Sequence, residues 1–372
     1  MARVLVTADD CTGALEVAGE LADRRGRPVP AQLGSRTARS VSGTAADVLV
    51  VDLGSRHAEA SGAATAAVDA VERLRPDVLA HKIDSTLRGN WAHELVALGR
   101  ALDRPVLVVP ALPGAGRLCQ HGVVVVDGVP VAATVAGRDP RHPVRWSRPA
   151  EHLLAAGAGE VVEFGTDAEL AAWLARPEPT VAVADAASSA DLDRIGARWR
   201  SVDRHVVLAG TAASVAAGLT DRAAAPAIGQ SGPVAEGVLV VCGSLHPVAR
   251  HQVAELVMRG DAGDRVAVMT SSPPWPGGVG VTSAEADAAA SELADRARQA
   301  LAAHPGRALV VLGGDTAAAL LEGAWLDVHG CVEPGVPWSL RVDDGRLVVT
   351  RAGGFGDPGG LRRLVERLLV GV

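Results

Sequence analysis

The sequence predicts an α/β protein of two domains, each with a mostly parallel sheet flanked by helices, and an inter-domain cleft. Three observations support this fold class. The chain has 372 residues, more than a single hydrophobic core usually holds. Short apolar runs alternate with segments of helical periodicity, which indicates βαβ units. Several of these runs end abruptly in charged, hydroxyl or glycine residues, as strands do at the ligand sites of parallel sheets.

Strands and helices alternate through the first half of the chain. Apolar runs predict the strands, and Ala-rich or amphipathic runs predict the helices between them. The predicted strands are residues 3–8, 47–53, 78–82, 105–109, 180–184 and 205–209, and the helices are residues 12–24, 59–74 and 91–102. Asp127-Gly128 predicts a two-residue turn that joins strands 123–126 and 129–133. Segment 135–149, rich in Arg, Pro and His, is predicted to be a loop.

A stretch without periodicity predicts the domain boundary. Residues 221–237 mix Ala, Pro, Gly, Gln and Ser, so we expect one domain over residues 1–225, a linker over 226–235 and a second domain over 236–372. Alternation restarts beyond the linker. The predicted strands are residues 238–241, 265–269, 308–312 and 346–351, and the helices are residues 247–259, 285–303, 316–323 and 360–369.

Composition and charge exclude several classes of partner. Aromatic residues make up 2 % of the chain and the net charge is -7, which argues against a nucleic-acid partner. The four cysteines form no C-x-x-C pair, which is typical of reduced cytosolic thiols. Neither a signal-peptide pattern nor a bilayer-length apolar run is present, so we expect a cytoplasmic protein without a membrane partner.

Two polar segments follow predicted strands of the first half. Asp9 and Asp10 are adjacent at a strand end, so one carboxylate would face the cleft while the other caps the next helix, unless both only cap it. Lys82, Asp84 and Arg88 lie within seven residues of each other. Buried charges pair with a ligand or with each other, and internal Lys82–Asp84 or Asp84–Arg88 pairs remain the alternative.

A third loop and the glycine-rich strand ends of the second half complete the candidate site. Arg117, after Gly116, could bind a carboxylate bidentately or be merely solvated. Segment 313–316 joins a strand to a helix, where glycines and free N–H groups suit a phosphate, or where Asp315 simply caps the helix. Strand ends 242–244 and 350–354 resemble it. The chain has no P-loop motif. Its G-x-G-x-x-G at Gly354, Gly356 and Gly359 is not a dinucleotide fingerprint, because that motif needs a following strand with an acidic residue about 20 positions on.

These segments resemble the four-carbon acid sugar kinases over nearly the whole chain. The resemblance is carried by residues 8–13, 82–90, 110–117 and 139–144 for a sugar-binding domain, and by 313–316, 334–337 and 353–357 for a nucleotide-binding domain. The chain departs from the family pattern at Leu245, His246 and Ala352. The resemblance implies ATP- and Mg²⁺-dependent phosphorylation of a hydroxyl on threonate, erythronate or a related acid, with nucleotide contacts at Ser244, Gly313, Gly314, Asp315, Thr316, Gly353 and Gly354.

The expected mechanism places the acid in the front domain. We expect Arg88 and Arg117 to bind its carboxylate, Lys82 to lie near the carboxylate or the phosphoryl group, and Asp10 or Asp84 to accept the hydroxyl proton. Asp9, Ser85 and Gly116 complete the expected acid site, and a homo-oligomer is compatible with the sequence. A non-catalytic acid-sugar or nucleotide sensor stays open as an alternative, as does an acid-sugar aldolase, dehydratase or oxidoreductase, for which only Lys82 offers the chemistry.

Overall fold

The structure is a computed structural model that describes residues 4–34, 46–139, 141–175, 180–202, 205–221, 233–259, 263–271 and 283–370. Its strands are β1 (Val4–Ala8), β2 (Val29–Gln32), β3 (Val48–Asp52), β4 (Val78–Lys82), β5 (Val106–Val109), β6 (Arg117–Gln120), β7 (Val123–Val126), β8 (Val129–Pro130), β9 (Val161–Phe164), β10 (Val181–Ala184), β11 (Val207–Gly210), β12 (Gly237–Cys242), β13 (Val266–Thr270), β14 (Arg307–Leu312), β15 (Trp325–Glu333), β16 (Val336–Arg341) and β17 (Leu347–Arg351). Most of the predicted linker, residues 226–232, lies outside the described residues.

The helices lie between these strands in chain order. They are α1 (Cys11–Arg25), α2 (Ala60–Leu74), α3 (Trp91–Leu102), α4 (Pro149–Ala155), α5 (Asp167–Leu174), α6 (Ser189–Arg200), α7 (Ala212–Leu219), α8 (Pro247–Arg259), α9 (Ser283–Ala303), α10 (Gly314–Leu321) and α11 (Gly360–Val370). Within the described ranges, no helix is both long enough and apolar enough to cross a bilayer. We call the described residues up to 221 the front half and those from 233 onward the rear half.

The front half contributes eight strands in the order β2-β3-β1-β4-β11-β5-β10-β9, and every neighbouring pair is parallel. Strand β1 lies between β3 and β4, so the strand order reverses there. Ligand sites of open parallel sheets form outside the carboxyl ends of strands at such a reversal. Asp9 and Asp10 follow β1, and Asp84 follows β4, so the reversal brings the two acidic segments together.

The rear half repeats this arrangement. Strands β13, β12, β14 and β17 are parallel, with β12 between β13 and β14, and β16 and β15 continue the sheet antiparallel. The second reversal therefore lies between β12 and β14, whose carboxyl ends lead to Ser244 and Gly313.

The two halves share one fourteen-stranded sheet. Strand β15 pairs antiparallel with β2, from Trp325 opposite Gln32 to Val328 opposite Val29. The α/β class and the mostly parallel pairing are confirmed, but the expectation of two separate sheets is corrected by this seam. Its physical reason is that each half would otherwise expose an unpaired strand edge, and the pairing satisfies both edges at once.

Helix α1 packs in the middle of the molecule, between the halves. It contacts β2 and β3 of the front half and β15, β16 and α10 of the rear half. Small buried residues allow this close packing: a Cβ on Gly19 would lie 2.7 Å from Cys331 Sγ, and Ala14, Ala18 and Ala22 are buried. Because α1 begins directly after Asp10, its N-terminus lies where the front and rear strand ends approach each other.

Several strands differ from the sequence prediction. The hairpin at Asp127-Gly128 is confirmed, with Val126 opposite Val129. Strands β2, β6, β9, β15 and β16 were not predicted. Strand β2 contains Pro30, which argues against a strand in a sequence, and β15 carries polar residues such as Asp327 on its exposed positions. Their pairing in the sheet outweighs these weak local signals.

Candidate active site

The two carboxylates after β1 have different environments. Asp9 is fully buried, whereas Asp10 is the N-cap of α1. Asp10 Oδ1 accepts a hydrogen bond from the Gly13 N–H at 3.0 Å, and Oδ2 accepts one from Thr12 Oγ1 at 2.5 Å. Side chains of successive residues in extended backbone point to opposite sides, which explains why Asp9 is buried while Asp10 caps α1. Burial alone would raise the pKa of Asp10, but the charges of Arg56 and Lys82 outweigh it and lower that pKa.

Arg56 joins the acidic segments, although the sequence analysis did not select it. Its Nε and Nη2 donate to Asp9 at 2.8 and 2.7 Å, and Nη2 lies 2.8 Å from Asp10 Oδ1 and 3.9 Å from Asp84 Oδ1. Its side chain is only 12 % exposed. The available signal was its place on the polar loop that follows β3, since the same reasoning selected the loops after β1 and β4.

Asp84 and Arg88 form the internal pair that the sequence left open. Arg88 donates to Asp84 through Nε at 2.9 Å and Nη2 at 3.0 Å, and through Nη1 to Asp139 at 3.4 Å. Thr86 Oγ1 donates to Asp84 Oδ2 at 2.5 Å. Burial would raise the pKa of Asp84, but the charges of Arg88 and Arg56 outweigh it and hold the pKa well below its ordinary value. Asp84 is therefore an ionised carboxylate with most of its acceptor capacity used.

Lys82 is buried between these segments and α1. Its Nζ donates to the Ile83 carbonyl at 2.9 Å and lies 3.6 Å from Glu16 Oε2. A Cβ on Gly13 would lie 3.2 Å from Lys82 Nζ, so the glycine at the N-terminus of α1 lets the ammonium approach. Lys82 is buried; one of its three N–H donors is bonded to the Ile83 carbonyl, and Glu16 lies just beyond hydrogen-bond distance as an ion-pair partner.

Arg117 is the arginine with the most unused donor capacity in the front half of the site. Its Nη1 donates to Ser85 Oγ at 2.5 Å, and its buried Nε has no hydrogen-bond partner among the described residues. The ring of Phe355, from the rear half, covers its guanidinium at 4.8 Å. Gly116 has a φ of +67° and a Cβ there would overlap Asp127, so this glycine serves the turn beside the hairpin.

The rear strand ends form a glycine-lined cradle around Ser244. A Cβ on Gly313, whose φ is +113°, would lie 3.2 Å from the Ser244 backbone, and a Cβ on Gly353 would overlap Ser244 Oγ. A Cβ on Gly354 would lie 3.3 Å from His246 Nε2. Burial, and then the charge of Arg88 in the front half, lower the pKa of His246, which is one of the three residues that depart from the family pattern.

Front and rear residues meet at the N-terminus of α10. A Cβ on Gly314 would lie 3.4 Å from Asp10 Oδ2 and 3.6 Å from Thr12 Oγ1. Asp315 does not cap α10, because its carboxylate is bound by His57 and Arg141 of the front half. Thr316 is buried. The two groups of candidate residues, predicted from distant parts of the chain, therefore lie against each other where the halves meet, and we call them the front wall and the rear wall of the candidate site.

Two protein-family models match this chain. A model described as a sugar-binding N-terminal domain matches residues 4–219, which is more than half of the chain, and one described as a nucleotide-binding C-terminal domain matches residues 259–361. The chain belongs to the four-carbon acid sugar kinase family. It is 32 % identical to a D-threonate kinase of Bordetella bronchiseptica, over 98 % of this chain and 96 % of that protein.

Other family members are similar over different lengths. A D-threonate kinase of Cupriavidus necator is 30 % identical over 96 % of both chains, and a D-erythronate kinase of Heliobacterium modesticaldum is 31 % identical over 52 % of this chain and 47 % of that protein. A crystal structure from Bordetella bronchiseptica, a domain-swapped dimer with bound citrate, is 30 % identical with a TM-score of 0.52, covering 99 % of this chain and 98 % of that one. A structure from Salmonella typhimurium shares the fold, with a TM-score of 0.74, 23 % identity, and coverage of 99 % and 100 %.

The rear cradle suits the nucleotide that the family implies. Its glycines leave room that a Cβ would fill, and the N-terminus of α10 offers free N–H groups with a favourable dipole. Among the described residues, no cluster of three or more His, Cys, Asp or Glu side chains could hold a metal ion.

Proposed function

We propose that this protein transfers a phosphoryl group from ATP to a hydroxyl of a four-carbon acid sugar of the threonate or erythronate type. The observation that carries the proposal is the approach of Gly314, in the rear cradle, to Asp10 and Thr12 at the end of β1. Phosphoryl transfer depends mainly on in-line positioning and charge neutralisation, and this contact would align an acceptor hydroxyl with a nucleotide phosphate.

The nucleotide would bind to the rear cradle, and its phosphates would meet backbone N–H groups rather than side-chain cations. Proposed contacts are Ser244, Gly313, Gly314, Thr316, Gly353 and Gly354. Gly353 must lack a side chain because Ser244 Oγ occupies that space. Mg²⁺ would arrive with ATP and be held mainly by phosphate oxygens and water, which is its usual coordination in kinases.

The acid would bind between Arg117, Arg88 and Ser85. Arg117 is the proposed primary carboxylate ligand, because Arg88 already pairs with Asp84 and Asp139 while the Nε of Arg117 has no partner among the described residues. Lys82, buried beside α1, would add a second positive charge to the acid site. The citrate in the Bordetella bronchiseptica structure, a carboxylate-rich hydroxy acid, is in keeping with an anion site of this kind.

Asp10 is the better candidate for the base. Five N–H or O–H donors from Thr86 and Arg88 point at the Asp84 oxygens, and the charges around Asp84 stabilise its ionised form. Asp10 Oδ2 accepts a hydrogen bond from Thr12 and faces Gly314, so it retains acceptor capacity towards the cleft. Asp9, fully buried under Arg56, would position Arg56 rather than touch the acid.

The organisation of the whole chain is also part of this proposal. The acid domain would span residues 1–225, the linker 226–235 and the nucleotide domain 236–372, with the catalytic cleft between the domains. A homo-oligomer is supported by the domain-swapped dimer of the Bordetella bronchiseptica relative. We propose a cytoplasmic location, the usual compartment of ATP-dependent metabolic kinases.

The decisive experiment measures ADP release with Mg·ATP across a panel of four-carbon acids that includes both enantiomers of threonate and erythronate. We expect acid-dependent turnover with one or two of them and a phosphorylated acid detectable by mass spectrometry. Glycerate and tartrate serve as controls of different length and charge. ADP release that is independent of every acid would contradict the proposal.

A further inference from the structure

The carboxylate of Asp315 joins the rear cradle to two basic side chains of the front half. His57 Nε2 lies 3.0 Å from Asp315 Oδ1, and Arg141 Nη1 donates to Asp315 Oδ2 at 3.3 Å. Asp315 follows Gly314 in the first turn of α10, so these contacts bring the His57 imidazole and the Arg141 guanidinium to the entrance of the proposed phosphate cradle. Neither His57 nor Arg141 lies in a pattern that predicts a role from sequence.

Arg141 is held in a defined orientation. Its Nη2 lies 3.0 Å from Asp287 Oδ1, its backbone N–H donates to Asp139 Oδ1 at 3.0 Å, and its side chain is only 15 % exposed. Its Nε is buried without a hydrogen-bond partner in the described part of the chain. A guanidinium has five N–H donors in a fixed plane, so two carboxylates leave several donors of Arg141 unused.

The loop that carries His57 is equally well fixed. The backbone N–H groups of Ser55 and Arg56 both donate to the Asp9 carbonyl at 3.0 Å, and the Asn90 side-chain amide donates to the Ser55 and Ala58 carbonyls at 3.0 and 2.8 Å. The rings of His57 and His142 lie 5.0 Å apart. His57 therefore approaches Asp315 from a rigid support.

We propose that Arg141 is a catalytic residue that binds the transferring phosphoryl group, and that Asp315, Asp287 and His57 position it. The inference rests on the proposed function. The acceptor hydroxyl oxygen forms a bond to the γ-phosphorus while the bond from that phosphorus to the β,γ-bridging oxygen breaks, and the electron pair leaves with ADP. The hydroxyl proton passes to Asp10. Negative charge stays on the three peripheral oxygens, where a preorganised guanidinium stabilises it.

This assignment explains why a carboxylate lies beside a phosphate site. Asp315 would repel a phosphate if it faced the cradle, but both of its oxygens are engaged by front-half groups. Its salt bridge with Arg141 thus holds that guanidinium beside the N-terminus of α10.

The test compares Arg141→Gln with Arg138→Gln, a change of the same type at an exposed position three residues earlier. We expect Arg141→Gln to lower kcat by about 100-fold or more, within the range that one transition-state donor supplies, and to leave the Kd of the acid within twofold. Added guanidinium should restore part of the activity, which a merely structural role would not allow. Arg138→Gln should behave like wild type. Wild-type kcat in Arg141→Gln, or a loss without guanidinium rescue, would overturn the inference.

Asp315→Asn tests the positioning role separately. Its kcat should fall about tenfold, and added guanidinium should have no effect because Arg141 is still present. A pH profile unchanged from wild type together with full activity would overturn the role of Asp315.

Calorimetry keeps this inference separate from the proposed function. If the wild-type protein turns over no four-carbon acid, the proposed function fails, but the affinity for a non-hydrolysable ATP analogue still tests Arg141. A tenfold weaker Kd in Arg141→Gln supports phosphate binding by Arg141, whereas an unchanged Kd in that protein overturns it.

Discussion

The front and rear walls of the candidate site differ in the chemical groups that form them. The front wall consists of charged side chains: Arg56 and Arg88 bind three carboxylates after β1 and β4, within a largely buried network. The rear wall consists mainly of backbone, with Gly313, Gly314 and Gly353 packed around Ser244. Both walls lie at a strand-order reversal of the same sheet, so topology fixes where they form and not which chemistry they use.

The difference follows from what each wall is proposed to bind. A small acid sugar offers one carboxylate and several hydroxyls, so it must be recognised by directed side-chain donors and acceptors. A triphosphate presents many oxygens along a chain, and successive N–H groups at a helix N-terminus can follow them without side chains. The two walls should therefore respond differently to substitution: the front wall to loss of charge, the rear wall to gain of volume.

Loss of the Arg56 guanidinium should have the largest effect. Arg56→Met would leave Asp9, Asp10 and Asp84 without their shared cation, and Asp9 is fully buried. We expect the free energy of unfolding to fall by about 3–5 kcal/mol and activity to be lost. Urea unfolding and ADP release measure the two effects. Arg73→Met, at an exposed site on α2, is the control and should change neither.

A variant that preserves the charge separates folding from function at this position. Arg56→Lys retains the cation but loses the forked contact with Asp9. It should remain folded at 25 °C while kcat falls strongly. Wild-type kinetics in Arg56→Lys would show that the front wall needs only net charge.

Added volume in the rear wall should have the next largest effect. In Gly353→Ala the new Cβ would overlap Ser244 Oγ, so the cradle must widen. We expect about 1–3 kcal/mol of lost nucleotide binding, measured by calorimetry with an ATP analogue, and an unchanged Kd for the acid. The matched control is Gly62→Ala at an exposed position of α2, where a Cβ would meet nothing within 4 Å. Equal loss of acid and nucleotide binding would contradict the division between the walls.

The sequence predicted the parts of both walls but not their assembly. Asp84 and Arg88 stand out because their charges follow a buried strand, and Gly313 and Gly314 stand out because a strand-to-helix turn follows an apolar run. The contact between His57 and Asp315 joins residues 258 positions apart, and no local pattern encodes it. This contact requires the pairing of β15 with β2, and long-range packing around α1 stabilises that pairing.

Helix α1, where the walls meet, offers a pH-dependent test of that packing. Burial, and then the like charges of Glu16 and Asp23, raise the pKa of Glu20 from 4.5 to about 7. A raised carboxyl pKa means that the folded state favours the protonated form. The stabilisation is therefore complete below the unfolded-state pKa and is lost as the pH rises through the folded-state value.

Glu20→Gln should remove this dependence. At pH 8 the variant should be about 1–2 kcal/mol more stable than wild type, and the advantage should shrink as the pH falls towards 5. Urea unfolding at both pH values measures it, with Glu72→Gln on the exposed face of α2 as control. An equal gain at pH 5 and pH 8 would mean that the charge of Glu20 is not the cause.

Phe355 provides the smallest and most selective test, because it is a rear-wall side chain that acts on the front wall. Its ring covers the Arg117 guanidinium at 4.8 Å, and a Cβ on Gly335 would lie 3.4 Å from that ring, so the ring packs closely beside this glycine. Phe355→Leu keeps an apolar contact but removes the cation–π attraction, which contributes about 0.5–1 kcal/mol at partly exposed sites. The KM for the acid should therefore rise about two- to fivefold, while the KM for ATP and the melting temperature stay near wild type.

The chain contains one other phenylalanine, Phe164, which packs on Trp173 at a centroid distance of 6.1 Å in the front core. Phe164→Leu should give the reverse pattern, a lower melting temperature with unchanged KM values, since a core contact supports the fold and not the acid. If both variants shift only the melting temperature, Phe355 is a packing residue and the two walls recognise their substrates independently.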